Sequence, residues 1–292
     1  MDAFTRVPLA GNPAGVVLDA SGLSESEMQK IARELNNSET AFILPADGDD
    51  HDVRIRFFTP HCEVPSCGHA TLAAHYVRAS VGGLGPGTVV QKIGIGLQSV
   101  DLVQTAGDLR VFTTHEPIEF SPPLASEPLS RLLAALDLRP IDLDERCPVQ
   151  IVSSGHSKVM VGVRSTRALD RLRPDLERLR ELSREIGSNG YFLFTAETGS
   201  PDHLTDCRMF APAIGISEDP VTGNGHGPLG AYLLRHGLAR PEKRRFTFES
   251  VQGRVMQRLG RVYVEVEAKN GEPTKVRVGG DAVIVMHADM RL

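Results

Sequence analysis

The amino-acid sequence predicts an α+β protein of two pseudo-symmetric domains, each a curved, mostly antiparallel sheet wrapped around a central buried helix. Two observations support this fold class. One long motif occurs twice, and each copy runs into a segment that would form a helix apolar on nearly all sides. A helix of that kind is normally buried. Short segments with period-two alternation occur in both halves and are typical of strands.

The repeated motif is an Arg-x-Phe strand that ends in proline, followed by a loop and by Glu-x-Pro-x-x-Gly. Its copies span 54–70 and 206–225. The residues that recur at one constant offset are Glu63, Pro65 and Gly68 in the first copy and Glu218, Pro220 and Gly223 in the second. Because solenoid repeats run to only about 20–50 residues, this longer period indicates a duplicated domain. We therefore expect two similar halves that face each other across a ligand-binding cleft.

The boundary between the halves is expected within 115–148, a stretch rich in proline and acidic residues. The first half is predicted to span 1–115 and to be completed by a C-terminal strand over 282–292. The second half is predicted to span 116–281.

The first half contains the clearest helix of the chain, predicted over Ser24–Leu35. This segment begins with a Ser-x-x-Glu capping box and continues with apolar residues at helical spacing. Thr40–Leu44 is predicted to be a buried strand. Val53–Phe58 alternates apolar and polar residues and is predicted to be a second strand. Ala70–Ser80, small and apolar, is predicted to be the central helix.

The second half is predicted to repeat this plan. One helix opens at Arg173-Pro174-Asp175 and is closed by Gly187, since proline favours the first helical turn and glycine the position after the last. The apolar segment Pro228–His236 is predicted to be the central helix. Period-two alternation predicts strands at Lys158–Val163, Phe246–Glu249, Arg261–Glu267, Thr274–Val278 and Ala282–His287.

Composition and charge exclude several classes of function. The net charge of −5 and the pI near 6.1 predict neither a nucleic-acid partner nor an anionic-membrane partner. No apolar run approaches the roughly 18–20 residues of a membrane span, and the first residues do not resemble a secretory signal. The four cysteines form no Cys-x-x-Cys pair, so no structural zinc site is expected. Their low density predicts a reducing, cytoplasmic location.

Two glycine-containing loops, Ser66–His69 and Thr222–Gly225, each lead into a central helix. The first turn of a helix has unpaired N–H groups and a partial positive charge, which favour an anion. We therefore predict that the loops bind a carboxylate-bearing small molecule. Alternatively, the glycines only allow tight packing of helix on strand. The predicted substrate-binding residues are Ser38, Cys67, Gly68, Ala70, Thr222, Gly223, Asn224 and Gly225.

Glu39 is the candidate general acid/base. It lies where the first helix has ended and a buried strand begins, and its counterpart in the second half is Asn189. A carboxylate retained in one half only, at the mouth of an apolar strand, suits proton transfer. An exposed strand-edge glutamate or a helix-ending cap would give the same pattern.

His69 and Asp219 complete the candidate catalytic residues. His69 follows Gly68 at the start of the first central helix, and Asp219 precedes the proline of the second copy. Either residue could instead be structural, because histidine is versatile and Asp-Pro is a common turn. Cys67 could act as a base at a helix N-terminus. Its counterpart, Thr222, carries no thiol.

The chain resembles the PhzF-like family, named after phenazine biosynthesis, which shares its fold with diaminopimelate epimerase and proline racemase. The strings that carry the resemblance are DAF, GNPAGVV, NSETAFIL, FFTP, EVPSCGHATLAAH and RMFAPAIGISEDPVTGNGHGPLGAYL. It implies a proton-shuttling isomerase that forms a homodimer and uses no cofactor and no metal. Glu39 matches the catalytic acid/base of the family, and His69 and Asp219 match residues that bind and orient the substrate. Gly68 and Gly223 match the backbone that receives its carboxylate.

The chain also departs from the family pattern. Asn224 stands where phenazine-type members carry a small hydroxyl residue, and Cys67 adds a thiol that they lack. Members of the racemase branch carry one cysteine in each loop, whereas the second loop here has Thr222. The predicted function is a cofactor-independent isomerase or epimerase of a small carboxylate-bearing metabolite, with proton transfer through Glu39. The alternatives are a racemase or epimerase that uses Cys67 as a base, and a non-catalytic small-carboxylate binding protein.

Overall fold

The computed structural model describes residues 1–106 and 108–291. The chain folds into two compact units, one of Met1–Thr114 with Gly279–Leu292 and one of His115–Val278. The predicted halves, 1–115 with 282–292 and 116–281, differ from these units by a few residues at each boundary. Within the described residues, no helix combines the length and the apolar character needed to cross a bilayer.

The secondary-structure elements alternate short strands with a few helices. The helices are α1 (Glu25–Leu35), α2 (Gly68–Ser80), α3 (Ser126–Leu136), α4 (Thr166–Asp170), α5 (Leu176–Ile186) and α6 (Gly223–Arg235), with 3₁₀ turns at Pro140–Asp142 and Pro212–Ile214. The strands of the N-terminal part are β1 (Asp2–Ala3), β2 (Asn12–Pro13), β3 (Gly15–Val17), β4 (Thr40–Leu44), β5 (Val53–Phe58), β6 (Glu63–Val64), β7 (Gly87–Ile93), β8 (Gly96–Gln104) and β9 (Leu109–His115). The remaining strands are β10 (Glu119–Pro123), β11 (Gln150–Ser153), β12 (Ser157–Gly162), β13 (Tyr191–Thr195), β14 (Thr205–Ala211), β15 (Ile216–Asp219), β16 (Arg245–Gln252), β17 (Gly260–Lys269), β18 (Glu272–Gly280) and β19 (Ala282–Val283).

The duplication predicted from the sequence is visible in the strand pairing of the two units. In the first unit, β3 and β4 are parallel, β4 and β5 antiparallel, β5 and β7 parallel, and β7 and β8 antiparallel. In the second unit, β12, β13, β14, β16 and β17 pair in the same succession of directions. The short β6 pairs with β5, and β15 pairs with β14. The repeated motif therefore folds into the same local topology twice.

Helix α1 forms as its sequence predicts. The Ser24 hydroxyl accepts a hydrogen bond from the Glu27 backbone, and the Glu27 carboxylate accepts one from the backbone of Ser24. These contacts satisfy two N–H groups that would otherwise lack partners. Asn36 has a positive φ of 51° and ends the helix. The chain then enters β4 directly after Glu39, so the end of α1 fixes where that carboxylate stands.

The central helices α2 and α6 are buried, as predicted. Helix α2 packs on β3 and β4, and Ala70, Ala73 and Ala74 lie in the core of the first unit. Helix α6 packs on β11, β12 and β17 of the second unit. The opposite face of that sheet packs in a separate core with α3 and α5. Each unit therefore holds one helix with almost no solvent-exposed face.

Two predicted boundaries of the central helices are wrong. The helices begin at Gly68 and Gly223, ahead of the predicted Ala70 and Pro228. Glycine and proline disfavour helix interiors, and the sequence-based start points followed that propensity. Close packing overrides it, because a Cβ on Gly225 would stand 2.3 Å from the ring of Phe192.

The predicted C-terminal strand over 282–292 is also wrong beyond its first residues. Strand β19 spans only Ala282–Val283, and no strand follows in the described residues up to 291; the last predicted residue, 292, lies outside them. The physical reason is the length of its partner, since β1 consists of Asp2–Ala3 and pairs with two residues only. Met286, beyond the strand, is 70% exposed.

Candidate active site

The N-terminus of α2 carries most of the predicted residues of the first unit. Cys67 is extended, with φ −152° and ψ 119°, and its side chain makes no capping hydrogen bond to the helix. Gly68 is the first helical residue, and a Cβ built there would meet no atom within 4 Å. The backbone at Gly68 therefore borders open space, as a ligand-binding helix terminus requires.

His69 lies at the centre of a cluster of four predicted residues. Its Nε2 atom is 3.2 Å from Ser38 Oγ and 3.4 Å from Glu39 Oε2. Its Nδ1 atom is 3.4 Å from Cys67 Sγ. The turn from α1 into β4 supplies Ser38 and Glu39, and the start of α2 supplies Cys67 and His69. Residues that are distant in sequence thus meet at one imidazole ring.

The cluster is largely shielded from solvent but open enough to react. The side chains of His69 and Glu39 are 9% and 15% exposed. A neutral imidazole donates from one nitrogen and accepts at the other, so a ring that donates from Nε2 to Glu39 can accept from the Cys67 thiol at Nδ1. The ring can therefore contact both candidate bases at once and hold the Glu39 carboxylate in place.

The same residues form a potential ligand set for a metal ion. One donor atom each from Glu39, Cys67 and His69 lies within 4.8 Å of the other two. A carboxylate, a thiolate and an imidazole are the ligand types that zinc accepts in proteins. The absence of a metal remains a prediction from the family resemblance.

In the second unit, Asp219 and Thr222 are joined by a hydrogen-bond network. The Thr222 hydroxyl donates to Asp219 Oδ2 at 2.5 Å. The Gln252 side-chain amide donates to the Asp219 carbonyl at 2.7 Å and accepts from the Thr222 backbone at 3.1 Å. Gln252, on β16, has a structural role here that the sequence did not predict, because its strand is distant in the chain from the loop.

Helix α6 begins with small residues, and a buried histidine follows them. Gly225 rests against Phe192, and the Asn224 side-chain oxygen is buried with no hydrogen-bond partner in the described parts of the chain. His226 is fully buried between the Thr222 carbonyl at 2.8 Å and Ser250 Oγ at 2.9 Å. Burial lowers the pKa of His226 to about 4, so the ring is neutral near pH 7 and supports the loop.

In each copy of the motif, the recurring arginine forms an ion pair with the recurring glutamate. Arg56 pairs with Glu63 at 2.6 and 2.7 Å, and Arg208 pairs with Glu218 at 2.8 and 2.9 Å, each through two parallel contacts. The guanidinium carbons also lie 5.1 Å and 4.9 Å from the ring centres of Phe58 and Phe210. Both copies of the motif thus form an Arg–carboxylate clamp, although the arginine and the glutamate are seven residues apart in the first copy and ten in the second.

The remaining predicted binding residues have a small side chain or none, so they can contact a ligand mainly through their backbone. Ala70 is fully buried, and its methyl group belongs to the hydrophobic core, so only its backbone is a candidate contact. Gly223 and Gly225 likewise offer only backbone. One residue that the sequence did not single out is Lys158, whose side chain is buried.

Comparison with known proteins identifies the family. A family model described as phenazine biosynthesis-like protein matches residues 1–288. The chain belongs to this family. It is 47% identical to an uncharacterized isomerase of Clostridium acetobutylicum, over 100% of this chain and 97% of that protein. It is 32% identical to a trans-2,3-dihydro-3-hydroxyanthranilate isomerase of Pseudomonas fluorescens, over 97% and 95%.

Solved structures support the same assignment. A PhzF-family phenazine biosynthesis protein of Bacillus anthracis matches with a TM-score of 0.85 at 30% identity, over 96% of this chain and 93% of that one. A probable proline racemase of Agrobacterium radiobacter matches with a TM-score of 0.58 at 15% identity, over 92% and 87%, and shows the fold alone. The predicted fold class and the prediction of an enzyme of the isomerase class are confirmed.

Proposed function

We propose that this PhzF-family isomerase moves a proton on a small carboxylate-bearing metabolite, without a cofactor, and that Glu39 is its acid/base. The observation that carries the proposal is the cluster around His69. A shielded carboxylate 3.4 Å from an imidazole is held in one orientation and remains able to exchange a proton.

The proposed reaction needs no redox partner. The Glu39 carboxylate takes a proton from a carbon beside a carbonyl or a double bond. The C–H bond breaks, an O–H bond forms, and the electron pair moves into the neighbouring π system. Glu39 then returns the proton to another carbon of the same molecule. The N–H groups at the start of α2 would stabilise the negative charge that develops.

The carboxylate of the substrate is proposed to bind at the backbone of Gly68. The support is that Gly68 opens a helix of 13 residues and that its missing side chain leaves space beside the N–H groups. The corresponding residue of the second unit, Gly223, also opens a long helix. By the family resemblance we further propose a cytoplasmic homodimer, which light scattering after gel filtration tests.

A racemase or epimerase that uses Cys67 as a base is the second candidate function. The observation in its favour is the thiol–imidazole contact of 3.4 Å with His69. Against it, the counterpart Thr222 has no thiol, and its hydroxyl is already committed to Asp219. A two-thiol mechanism would therefore lack its second base.

Proton exchange with solvent separates an isomerase from a mere binding protein. The protein is incubated in D₂O with trans-2,3-dihydro-3-hydroxyanthranilate, the substrate in the name of the Pseudomonas relative, and with carboxylates found by thermal-shift screening. Mass spectrometry then follows deuterium in each compound. Enzyme-dependent incorporation at carbon supports the proposal. A compound that binds tightly, and into which neither deuterium nor any rearrangement enters, contradicts it.

A further inference from the structure

Lys158, on β12, is a lysine whose ammonium the fold buries with few hydrogen-bond acceptors around it. The residue is 1% exposed. Among residues 1–106 and 108–291, the hydrogen-bond acceptor of its ammonium is the Ser157 carbonyl, at 3.3 Å. An ammonium carries three N–H donors, and a buried charge is costly unless it is paired. Two donors of Lys158 therefore have no hydrogen-bond acceptor among the described residues, although the charge of Asp219 acts on the ammonium.

The strand position of Lys158 puts its side chain on the α6 face of the sheet. Val159 and Val161 belong to the core that α3 and α5 share. Because successive side chains of a strand point to opposite faces, Lys158 and Met160 lie on the other face. That face is the one on which α6 packs.

Two ring contacts fix the direction of α6 relative to β12. Met160 pairs with Phe192, which contacts Gly225 near the start of the helix. Two residues further along the strand, Gly162 pairs with Phe194, whose ring centre lies 5.7 Å from that of Tyr232. The helix and the strand therefore run the same way, and Lys158, two residues before Met160, lies at the N-terminal end of α6.

The groups around this end of α6 are polar and incompletely paired. The Asn224 side-chain oxygen and the Ser154 hydroxyl are buried with no hydrogen-bond partner in the described residues, and the Ser154 hydroxyl lies 3.7 Å from a Cβ built on Gly227, one turn into the helix. Asp219 acts electrostatically on Lys158 and accepts from Thr222, the residue that precedes α6. Burial lowers the pKa of Lys158 to about 8, and the Asp219 charge opposes that shift, so the ammonium is mostly charged near pH 7.

We propose that Lys158 and the first turn of α6 together bind an oxyanion of the ligand, a carboxylate or a phosphate group. The inference rests on the proposed function, which it extends by naming a binding residue in the second unit. The ammonium would supply two charge-assisted hydrogen bonds, and the N–H groups of Gly223 and Asn224 would supply the helix-terminal ones, since the Gly225 N–H already donates to the Thr222 carbonyl. Gly223 adds no side chain at the start of that turn.

Sulfate is the probe that tests this site without turnover. Sulfate affinity is measured by isothermal titration for the wild type and for Lys158→Met, Lys158→Gln and Lys158→Arg. The methionine and glutamine variants should bind at least about tenfold more weakly, because each loses a charged hydrogen-bond donor. The arginine variant keeps the charge and should retain most of the affinity. Lys269→Met, which removes an exposed lysine of the same unit, is the matched control and should bind as the wild type does.

The outcomes separate this inference from the proposed function. Wild-type affinity in both Lys158→Met and Lys158→Gln, or no sulfate binding by the wild type, overturns the Lys158 site and leaves Glu39 chemistry untouched. Lys158→Met and Lys158→Gln are both used in case one of them fails to fold, and circular dichroism checks the folding of each variant. Conversely, Glu39→Gln should bind sulfate at this site as the wild type does, so a failure of Glu39 as the base would not change the Lys158 result.

Discussion

The imidazole of His69 stands between the carboxylate of Glu39, 3.4 Å from Nε2, and the thiol of Cys67, 3.4 Å from Nδ1. The ring therefore connects two candidate bases that the sequence offers as alternatives. Neither base has a counterpart of its own kind in the second unit, where Asn189 and Thr222 stand at the matching positions.

Removal of the Cys67 thiol should leave most of the activity. Cys67→Ser keeps a small polar group beside His69, and the proposed reaction passes no proton through sulfur. The expected loss in kcat is well below the roughly 10²-fold effect of removing a general base. Steady-state kinetics on the compound identified by deuterium exchange measure it, with Cys62→Ser, an exposed thiol of the same unit, as the control. A loss of 10²-fold or more would favour the Cys67 mechanism.

Replacement of His69 should lower kcat, because the Glu39 carboxylate would lose the ring that orients it. For His69→Asn we expect a decrease of about tenfold or more. His61→Asn, at an exposed histidine of the same unit, should have no such effect. Ligand affinity is measured alongside by titration. Unchanged kcat in His69→Asn would remove this residue from the site.

The Arg208–Glu218 clamp should contribute much more to stability than its copy Arg56–Glu63. Arg208 is 5% exposed, and its Nη1 also donates to the Leu169 carbonyl at 2.9 Å. Glu218→Gln leaves that guanidinium without its counter-charge, and breaking such a buried pair costs about 3–5 kcal/mol.

Glu63→Gln is the matched control for this prediction. The Glu63 side chain is 38% exposed, and a solvent-exposed pair contributes about 0–1 kcal/mol. Urea unfolding midpoints of both variants give the comparison. Equal midpoint shifts in the two variants would refute the asymmetry.

Buried histidines should make the protein less stable at mildly acidic pH. Burial lowers the pKa of His226 to about 4, below its ordinary value of 6.5, so the unfolded chain binds the proton more readily. The stability that the neutral, buried His226 ring contributes is complete above pH 6.5 and is lost as pH falls toward 4. The loss is at most roughly 3 kcal/mol for one such histidine. Urea unfolding from pH 7 to pH 4.5 should show a steeper decline in the wild type than in His226→Gln; parallel declines would contradict this assignment.

Local sequence signals predicted those features that depend on neighbouring residues. The capping box of Ser24 and Glu27 and the apolar spacing after it predicted the bounds of α1 to within one residue. The duplicated motif gave the two equivalent helix-terminal loops, whereas the role of Glu39 stays a prediction. In each case the determining contacts lie within one helix, or within one motif that occurs twice.

Features that depend on distant packing were missed. Lys158 alternates with valines in its strand, and such a lysine usually faces solvent; it is buried because α6 covers that face. The early start of α6 at Gly223 depends on the ring of Phe192, which lies far back in the chain. Gln252 joins the Asp219 loop from another strand. No local pattern encodes these contacts.

Glu39→Gln removes the group that we propose transfers the proton. The amide keeps the size of the side chain but cannot take a proton from carbon, so kcat should fall by about 10²-fold or more. The decisive measurement is the rate of deuterium incorporation from D₂O into the identified substrate, with ligand affinity measured on the same preparation. The account predicts loss of incorporation with affinity within about tenfold of the wild type, since carboxylate binding is assigned to the backbone at Gly68. Incorporation at the wild-type rate in Glu39→Gln would contradict it.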